Sequence, residues 1–226
     1  AVASAAAKTI TAATITDADI IELSAQSVAY LDQENTVLTS GSYVDRLNRI
    51  TRDIKVEGLN FDFKVYKTEE INAFACGDGS IRVYSGLMDV MDDDQLIAII
   101  GHEVGHVVHQ DTKNMMKRAY LASAARDMAT SVGGVVATLS TSVLGDLAET
   151  YVSAQYSQKQ EYSADAYGYT FAVDNGHDKY SMYRALDKLN ELGGGTKMSL
   201  VQKWFASHPD SGERAAKVKA MADAAK

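Results

Sequence analysis

The residues best suited to chemistry are two histidines and a glutamate in the segment His102-Glu103-Val104-Gly105-His106. An acidic turn and an apolar run precede them, a pattern that predicts a helix beginning near Asp93. Side chains four positions apart share a helical face, so His102 and His106 can both bind one metal ion. Glu103 lies one step round the helix, where its carboxylate can act on a water molecule without binding the metal. The segment therefore predicts a zinc site.

Catalytic zinc usually has three protein ligands and keeps its fourth position for water. The best third candidate is Glu161, on a separate predicted helix that also carries Asp165 four positions later. Like charges at this spacing repel by about 0.2–0.5 kcal/mol on an isolated helix. A dication removes the conflict if Glu161 binds the metal and Asp165 accepts the ring N–H of a histidine ligand. A solvated acidic face is the alternative interpretation.

Further motifs accompany these residues in the order found in a known family. They are Asn72-Ala73-Phe74-Ala75, Ser85-Gly86-Leu87-Met88, and Ser207-His208-Pro209 followed by Arg214. Together the motifs resemble those of the zinc metallopeptidases that include the CAAX prenyl endopeptidases and HtpX, over about residues 61–214. Within this family the chain looks like the soluble bacterial envelope branch, the LoiP-type peptidases.

The resemblance implies a fold, a cofactor and a set of site residues. The implied fold is α+β, a mainly helical, gluzincin-like peptidase domain with a small β-sheet beside the HExxH helix. One zinc ion per chain is implied. Asn72 to Ala75 would form the sheet edge that pairs with a substrate strand, whereas Phe74 taken alone is typical of a core. The implied ligands are His102, His106 and Glu161, the catalytic residues Glu103 and His208, and the supporting residues Asp165 and Arg214.

His208 precedes Pro209, which restricts His208 to extended backbone conformations and places its imidazole on a stiff loop. The resemblance places His208 and Arg214 near the zinc, facing the HExxH helix. His208 could donate a hydrogen bond to the oxyanion of the reaction, or its neutral nitrogen could occupy the fourth zinc position in a resting state. Both roles stay open, beside a capping or surface position. Arg214 would hold this loop or a nearby carboxylate, with a surface ion pair as the alternative.

Periodicity and punctuation predict the elements that position these residues. From Asp93 onward the chain has a helical pattern with glycine interruptions. The earlier predicted elements are a helix capped by Thr16 or Asp17, a helix from Tyr43 to Ile54, and half-buried strands at Phe61 to Tyr66 and Ile81 to Tyr84. We expect one domain over residues 1–226, with a helical part at about 1–56 and a catalytic core at about 57–215.

Composition excludes several classes of protein. The chain has 226 residues, of which 46% are hydrophobic and 23% charged, the balance of an ordinary globular protein. Its formal net charge of −8 repels phosphate backbones and no basic patch offsets it, so nucleic-acid binding is not expected. The single cysteine, Cys76, cannot form an intrachain disulfide, and a small buried apolar position suits it.

The uncharged segment from Met128 to Gly145 is the one candidate for a membrane span. Half of its residues are glycine, serine or threonine, and it is shorter than the ~20 apolar residues that a spanning helix needs. We therefore expect a mobile lid or a helical hairpin there, one that could contact a membrane surface.

The sequence as a whole favours a zinc-dependent endopeptidase that cleaves internal bonds of protein or peptide substrates. The resemblance implies unfolded or misassembled envelope proteins as substrates. It also implies the bacterial periplasm or the periplasmic face of the outer membrane as location, with peripheral or lipid-anchored association. Two alternatives are a zinc-stabilised chaperone-like domain and a membrane-surface binding module. The retained Glu103 argues against the first, and the negative net charge weakens the second for anionic lipids.

Overall fold

The computed structural model describes residues 15–126, 141–209 and 211–225. Helices dominate this part of the chain, and four short strands form one sheet. In chain order the elements are α1 (Asp17–Glu34), β1 (Val37–Leu38), α2 (Ser42–Thr51), β2 (Asp62–Tyr66), β3 (Ala73–Ala75), β4 (Ser80–Tyr84), α3 (Ser85–Val90), α4 (Asp93–Val108), α5 (Asp111–Arg126), α6 (Thr141–Val152), α7 (Gln158–Asp174), α8 (Ser181–Gly193), α9 (Met198–Ser207) and α10 (Ser211–Ala224). The predicted α+β class, mainly helical with a small sheet, is confirmed.

The sheet has the strand order β1-β2-β4-β3, so β3 lies at one edge. Strands β2 and β4 are parallel, while β3 pairs antiparallel with β4 and β1 antiparallel with β2. Helix α4, which carries the HExxH segment, packs against β3. The expectation of a half-buried strand at Ile81 to Tyr84 is wrong, because β4 lies between two other strands and every one of its residues is buried.

Arg82 shows how a charged side chain fits into this central strand. Its guanidinium donates from Nε to Asp32 Oδ1 over 2.8 Å and from Nη2 to Asp62 Oδ2 over 3.0 Å. Lys64 and Tyr66 also donate to Asp32. Burial opposes the ionisation of Asp32, but these donors outweigh it and hold its pKa below the usual range. Since Asp32 belongs to α1, this network joins the first helix to the sheet.

Side-chain caps fix where the important helices begin. Thr16 caps α1, as the sequence predicts, and forms a reciprocal capping box with Asp19. Helix α4 begins with the same device between Asp92 and Gln95, and α7 begins with another. Each box satisfies backbone N–H groups that the first turn of a helix leaves unpaired. The starts of the two helices that carry the candidate ligands are therefore locally determined.

Helices α4 and α7 form the most extensive contact between two elements in the described part of the chain. Gly101 and Gly105 on α4 face side chains of α7, and Gly168 on α7 faces the backbone of α4. A Cβ atom at Gly168 would lie 2.7 Å from the Ala98 carbonyl oxygen and 3.0 Å from the backbone nitrogen of His102. The two backbones thus approach more closely than any side chain at residue 168 would allow.

None of the helices within the described ranges is long and apolar enough to cross a membrane. Most of the candidate lid, Met128 to Gly145, lies outside the described residues, which resume at Thr141 with the first turn of α6. The lid therefore stays a prediction.

Replacing Gly168 with alanine tests the close approach of α4 and α7. We expect Gly168→Ala to lower the free energy of unfolding by about 1–3 kcal/mol, because the new methyl group overpacks a backbone contact. The measurement is urea unfolding with EDTA present, so that metal binding does not contribute.

Gly194→Ala is the matched control. Gly194 has a right-handed helical backbone, and a Cβ atom there would have its nearest neighbours at 3.8 Å. The free energy of unfolding of the Gly194→Ala protein should therefore differ from that of the wild type by less than about 1 kcal/mol. Equal stability of the two variants would contradict the packing argument.

Candidate metal centre

Four side chains converge on one point between α4, α7 and the end of α9. The potential ligand atoms of His102, His106, Glu161 and His208 all lie within 4.8 Å of one another. The Nε2 atoms of the two α4 histidines are 3.1 Å apart, and Glu161 Oε1 lies 3.4 Å from His106 Nε2. None of the four residues is more than 2% exposed. We call this group the four-ligand cluster.

The charges around the four-ligand cluster fit a divalent cation. The carboxylates of Glu103, Asp111, Glu161 and Asp165 are all buried there, and one guanidinium, that of Arg214, lies among them. If the imidazoles are neutral, as metal ligands must be, three of these negative charges are left uncompensated, and burying unpaired charge is unfavourable. A dication offsets most of this charge. Two imidazoles and a carboxylate are also a donor set that zinc accepts readily.

Glu103 is placed beside the cluster without joining it. Its Oε1 atom is buried and makes no hydrogen bond to the described residues, although His208 Nε2 lies 3.5 Å away. Burial raises the pKa of Glu103, and the opposing effect of the nearby His208 and His106 does not cancel the rise. A buried carboxylate with a raised pKa, one oxygen of which makes no hydrogen bond to the described residues, is suited to accept and return a proton.

His102 is oriented by a carboxylate from α7. Its Nδ1 atom lies 2.9 Å from Asp165 Oδ1, and because a carboxylate only accepts, the imidazole carries its proton on Nδ1. Burial lowers the pKa of His102 to about 3, which keeps the ring neutral. Its Nε2 lone pair is therefore directed into the cluster. Arg214 donates two hydrogen bonds to Asp165, over 2.7 and 2.6 Å, and also pairs with Glu161.

His106 has partners that the sequence analysis did not find. Its Nδ1 atom lies 3.0 Å from Asp111 Oδ2, and the ring of Tyr156 stacks on the imidazole with centroids 3.8 Å apart. Burial alone would lower the pKa of His106. The hydrogen bonds to Asp111 and Glu161 outweigh the effect of burial and raise this pKa to about 9. The only feature of the sequence that could have pointed to Asp111 is its position, as an acidic residue five places after His106. Nothing in the sequence pattern singled out Tyr156.

His208 follows the last residue of α9 and reaches into the cluster. Its Nδ1 atom lies 3.1 Å from Glu161 Oε1 and 3.3 Å from His102 Nε2. The Trp204 ring packs on its imidazole with centroids 4.3 Å apart. Its Nδ1 atom thus lies in the same small volume as the potential ligand atoms of the other three residues.

The predicted substrate edge is also covered in this conformation. Asn72 and β3 are at most 3% exposed, and helix α6 packs against β3. Phe74 belongs to the same hydrophobic cluster as Leu147 and Tyr151 of α6. The amide atoms of Asn72 make no hydrogen bond to the described residues.

An HExxH helix beside a small sheet, with a glutamate and a partner aspartate from a second helix, defines a metallopeptidase. The comparison with protein families gives the particular family. The chain belongs to peptidase family M48, whose family model matches residues 39–222. The predicted class of enzyme, a metalloprotease of the LoiP-like type, is thereby confirmed.

Individual relatives agree with this assignment. The chain is 39% identical to the metalloprotease LoiP of Escherichia coli, over 94% of this chain and 84% of that protein. It is 38% identical to the metalloprotease YcaL of Escherichia coli, over 90% of this chain and 80% of the relative. A protease HtpX from Xanthomonas axonopodis is 29% identical, over 80% and 73% of the two chains.

Removing the carboxylate of Glu161 tests the ligand set. We expect Glu161→Ala to weaken metal binding at neutral pH by more than the ~10–100-fold that follows loss of a residue behind a ligand. The reason is that the variant loses the one anionic donor of the cluster. The measurement is metal content after dialysis against a weak chelator.

Asp174→Ala is the control, since Asp174 is an exposed carboxylate at the other end of the same helix. Metal content in Glu161→Ala equal to that of the control would remove Glu161 from the ligand set.

Proposed function

We propose that this protein is a zinc-dependent endopeptidase that cleaves internal peptide bonds of unfolded or misassembled proteins of the bacterial envelope. The observation that carries the proposal is the convergence of His102, His106 and Glu161 on one buried point beside Glu103, whose Oε1 atom makes no hydrogen bond to the described residues. A structural metal site needs ligands but has no use for a further buried carboxylate next to them. This favours proteolysis over a zinc-stabilised chaperone-like domain.

His102, His106 and Glu161 would hold the zinc ion, one per chain. A zinc ion held there would supply Lewis-acid chemistry, polarising the carbonyl of the scissile bond and making the attacking water more acidic. The outer partners of the two histidines keep each ring in the tautomer that directs its Nε2 lone pair into the site. Asp165 does this for His102, and Arg214 neutralises Asp165 and contacts Glu161.

Glu103 moves the protons of the reaction. Its Oε1 atom accepts a proton from the attacking water and returns it to the nitrogen of the leaving amine. Burial favours this cycle because it raises the pKa of Glu103 above that of an ordinary glutamate. A covalent intermediate is not needed. Cys76 is fully buried, and burial raises the pKa of its thiol well above the usual value, so it does not suit a nucleophile.

The edge strand β3 is the proposed binding surface for the substrate backbone. It pairs with β4 on one side only, so its other side can accept an extended peptide once α6 no longer packs against it. We assign Asn72 to Ala75 to this surface.

His208 is proposed as a site residue that closes the centre in the resting state. Its Nδ1 atom is as near to His102 Nε2 and Glu161 Oε1 as a further ligand would be, which supports this role over that of an oxyanion donor. The imidazole must then leave the cluster before a substrate carbonyl can enter.

The proposal covers the whole chain, residues 1–226, as one metallopeptidase domain with a helical part at about 1–56 and a catalytic core at about 57–215. Contacts of α1 with α5 and α6, and the Asp32–Arg82 pair, support it. From the family resemblance we also propose the periplasm or the periplasmic face of the outer membrane as location, with peripheral or lipid-anchored attachment.

Replacing Glu103 with glutamine tests the general base. We expect Glu103→Gln to keep its zinc and to lose cleavage by ~10²–10⁴-fold, because the amide cannot accept the proton. The measurement is digestion of an unfolded protein with and without a chelator, with the new termini mapped by mass spectrometry.

Glu191→Gln, an exposed change on α8, is the control and should cut like the wild type. A Glu103→Gln protein that cleaves at the control rate would exclude Glu103 as the base.

Replacing His208 with alanine separates its two roles. If the imidazole closes the centre, His208→Ala should cleave severalfold faster than the wild type, because one resting-state contact is lost. If it donates to the oxyanion, the rate should fall by ~10²–10³-fold. Initial rates on the same unfolded substrate, at equal zinc content, decide between the two.

A further inference from the structure

We infer that Asp111 is a positioning residue for His106, the counterpart of Asp165 for His102, and that Gln160 holds Asp111 in place. The inference rests on the proposed metal centre. It assigns functions to two residues that the HExxH motif does not include. The geometry of the imidazole, the backbone at the start of α5 and the cap of α7 support it independently.

The first support is the geometry of the imidazole. Asp111 Oδ2 lies 3.0 Å from His106 Nδ1, and a carboxylate only accepts, so Nδ1 carries the proton. The opposite nitrogen, Nε2, is the one that lies 3.4 Å from Glu161 Oε1. In the neutral ring that binds a metal, Asp111 therefore fixes both the tautomer and the direction of the imidazole, and it is 6% exposed.

The second support is the backbone between α4 and α5. Gln110 has a φ of 61°, and it is the one non-glycine residue with positive φ in the described ranges. A left-handed conformation costs a residue other than glycine about 1–2 kcal/mol. This turn follows directly after α4 and begins α5 with Asp111 beside His106. The turn thereby brings the Asp111 carboxylate within 3.0 Å of His106 Nδ1.

The third support is Gln160, whose amide group makes two kinds of contact. Its Nε2 donates to Asp111 Oδ1 over 2.7 Å. Its Oε1 accepts from the backbone nitrogen and the hydroxyl of Ser157, over 2.9 and 2.8 Å, in the capping box of α7. Because the next residue is Glu161, the first turn of α7 supplies one ligand and also holds the partner of another.

The two positioning carboxylates differ in what neutralises them. Asp165 receives two hydrogen bonds from the cationic guanidinium of Arg214, whereas the partner of Asp111 beside His106 is the neutral amide of Gln160. No lysine or arginine hydrogen-bonds to Asp111 in the described ranges, so its attraction for His106 is less offset by a neighbouring cation. We expect Asp111 to matter for the metal affinity at least as much as Asp165 does.

The experiment compares zinc affinities of the full chain by competition with a chromophoric chelator at fixed pH. Asp111→Ala should weaken binding ~10–100-fold, as should Asp165→Ala. Asp111→Asn should lie between Asp111→Ala and the wild type. Both Asp111 variants lose the same charge, but the asparagine oxygen can still accept the proton of His106 Nδ1.

Two further variants make the comparison specific. Asp17→Ala is the control, because Asp17 is also the first residue of its helix but its side chain is 74% exposed; its zinc affinity should equal that of the wild type. Gln160→Ala should weaken binding, and its effect should not add fully to that of Asp111→Ala, since both act through one hydrogen-bonded chain.

The outcomes separate this inference from the proposed function. Wild-type affinity in Asp111→Ala, or equal losses in Asp111→Ala and Asp111→Asn, would overturn the positioning role while the metal centre stands. A wild-type protein that binds no zinc would overturn the metal centre and the inference with it. The absorption spectrum of the cobalt-substituted protein is a second readout, because it should change in Asp111→Ala if the direction of His106 changes.

Discussion

The distance between α4 and α7 is the constraint on which the metal centre depends. Two of the potential ligands stand on α4 and one on α7, so the spacing of the two helix backbones sets the distances between their donor atoms. Glycines at positions 101, 105 and 168 make this spacing possible. Helix α4 also contacts the edge strand β3 and helix α8. The same helix therefore fixes the relative positions of the ligands, the base and the proposed substrate surface.

Electrostatics explains why this close contact needs a cation. The centre brings several carboxylates out of water, and hydrophobic packing around them cannot compensate their charge. Arg214 neutralises part of that charge from α10, and a metal ion would neutralise most of the rest. Metal binding then contributes to the stability of the folded chain, because the unfolded chain has no preformed site.

The sequence predicted the parts of this site that depend on local geometry. The spacing of His102 and His106, and that of Glu161 and Asp165, follows from the period of a helix, and both pairs lie on helices as expected. Contacts that depend on tertiary structure could not be predicted in this way. Tyr156 stacks on His106 only because the chain between α6 and α7 crosses the site. Asp111 reaches His106 only through an unusual backbone conformation at Gln110.

The same distinction holds for the fold. Alternating residues located β2 and β4 correctly, but alternation does not reveal whether a strand has one neighbour or two. Arg82 gave β4 the pattern of a half-buried strand, although Asp32 of a distant helix makes its burial favourable. Helix caps, by contrast, are determined within a few residues, and the start of α1 was accordingly found from Thr16.

The near-complete burial of the four-ligand cluster has a consequence for inhibitors. His102, His106 and Glu161 are each 0% exposed, so a hydroxamate or thiol inhibitor can reach the metal only in molecules that have opened. Its apparent dissociation constant is then the intrinsic one divided by the open fraction, and a population of ~1% open would weaken it about a hundredfold. Onset of inhibition would be slow, with a rate that levels off at the rate of opening as inhibitor concentration rises.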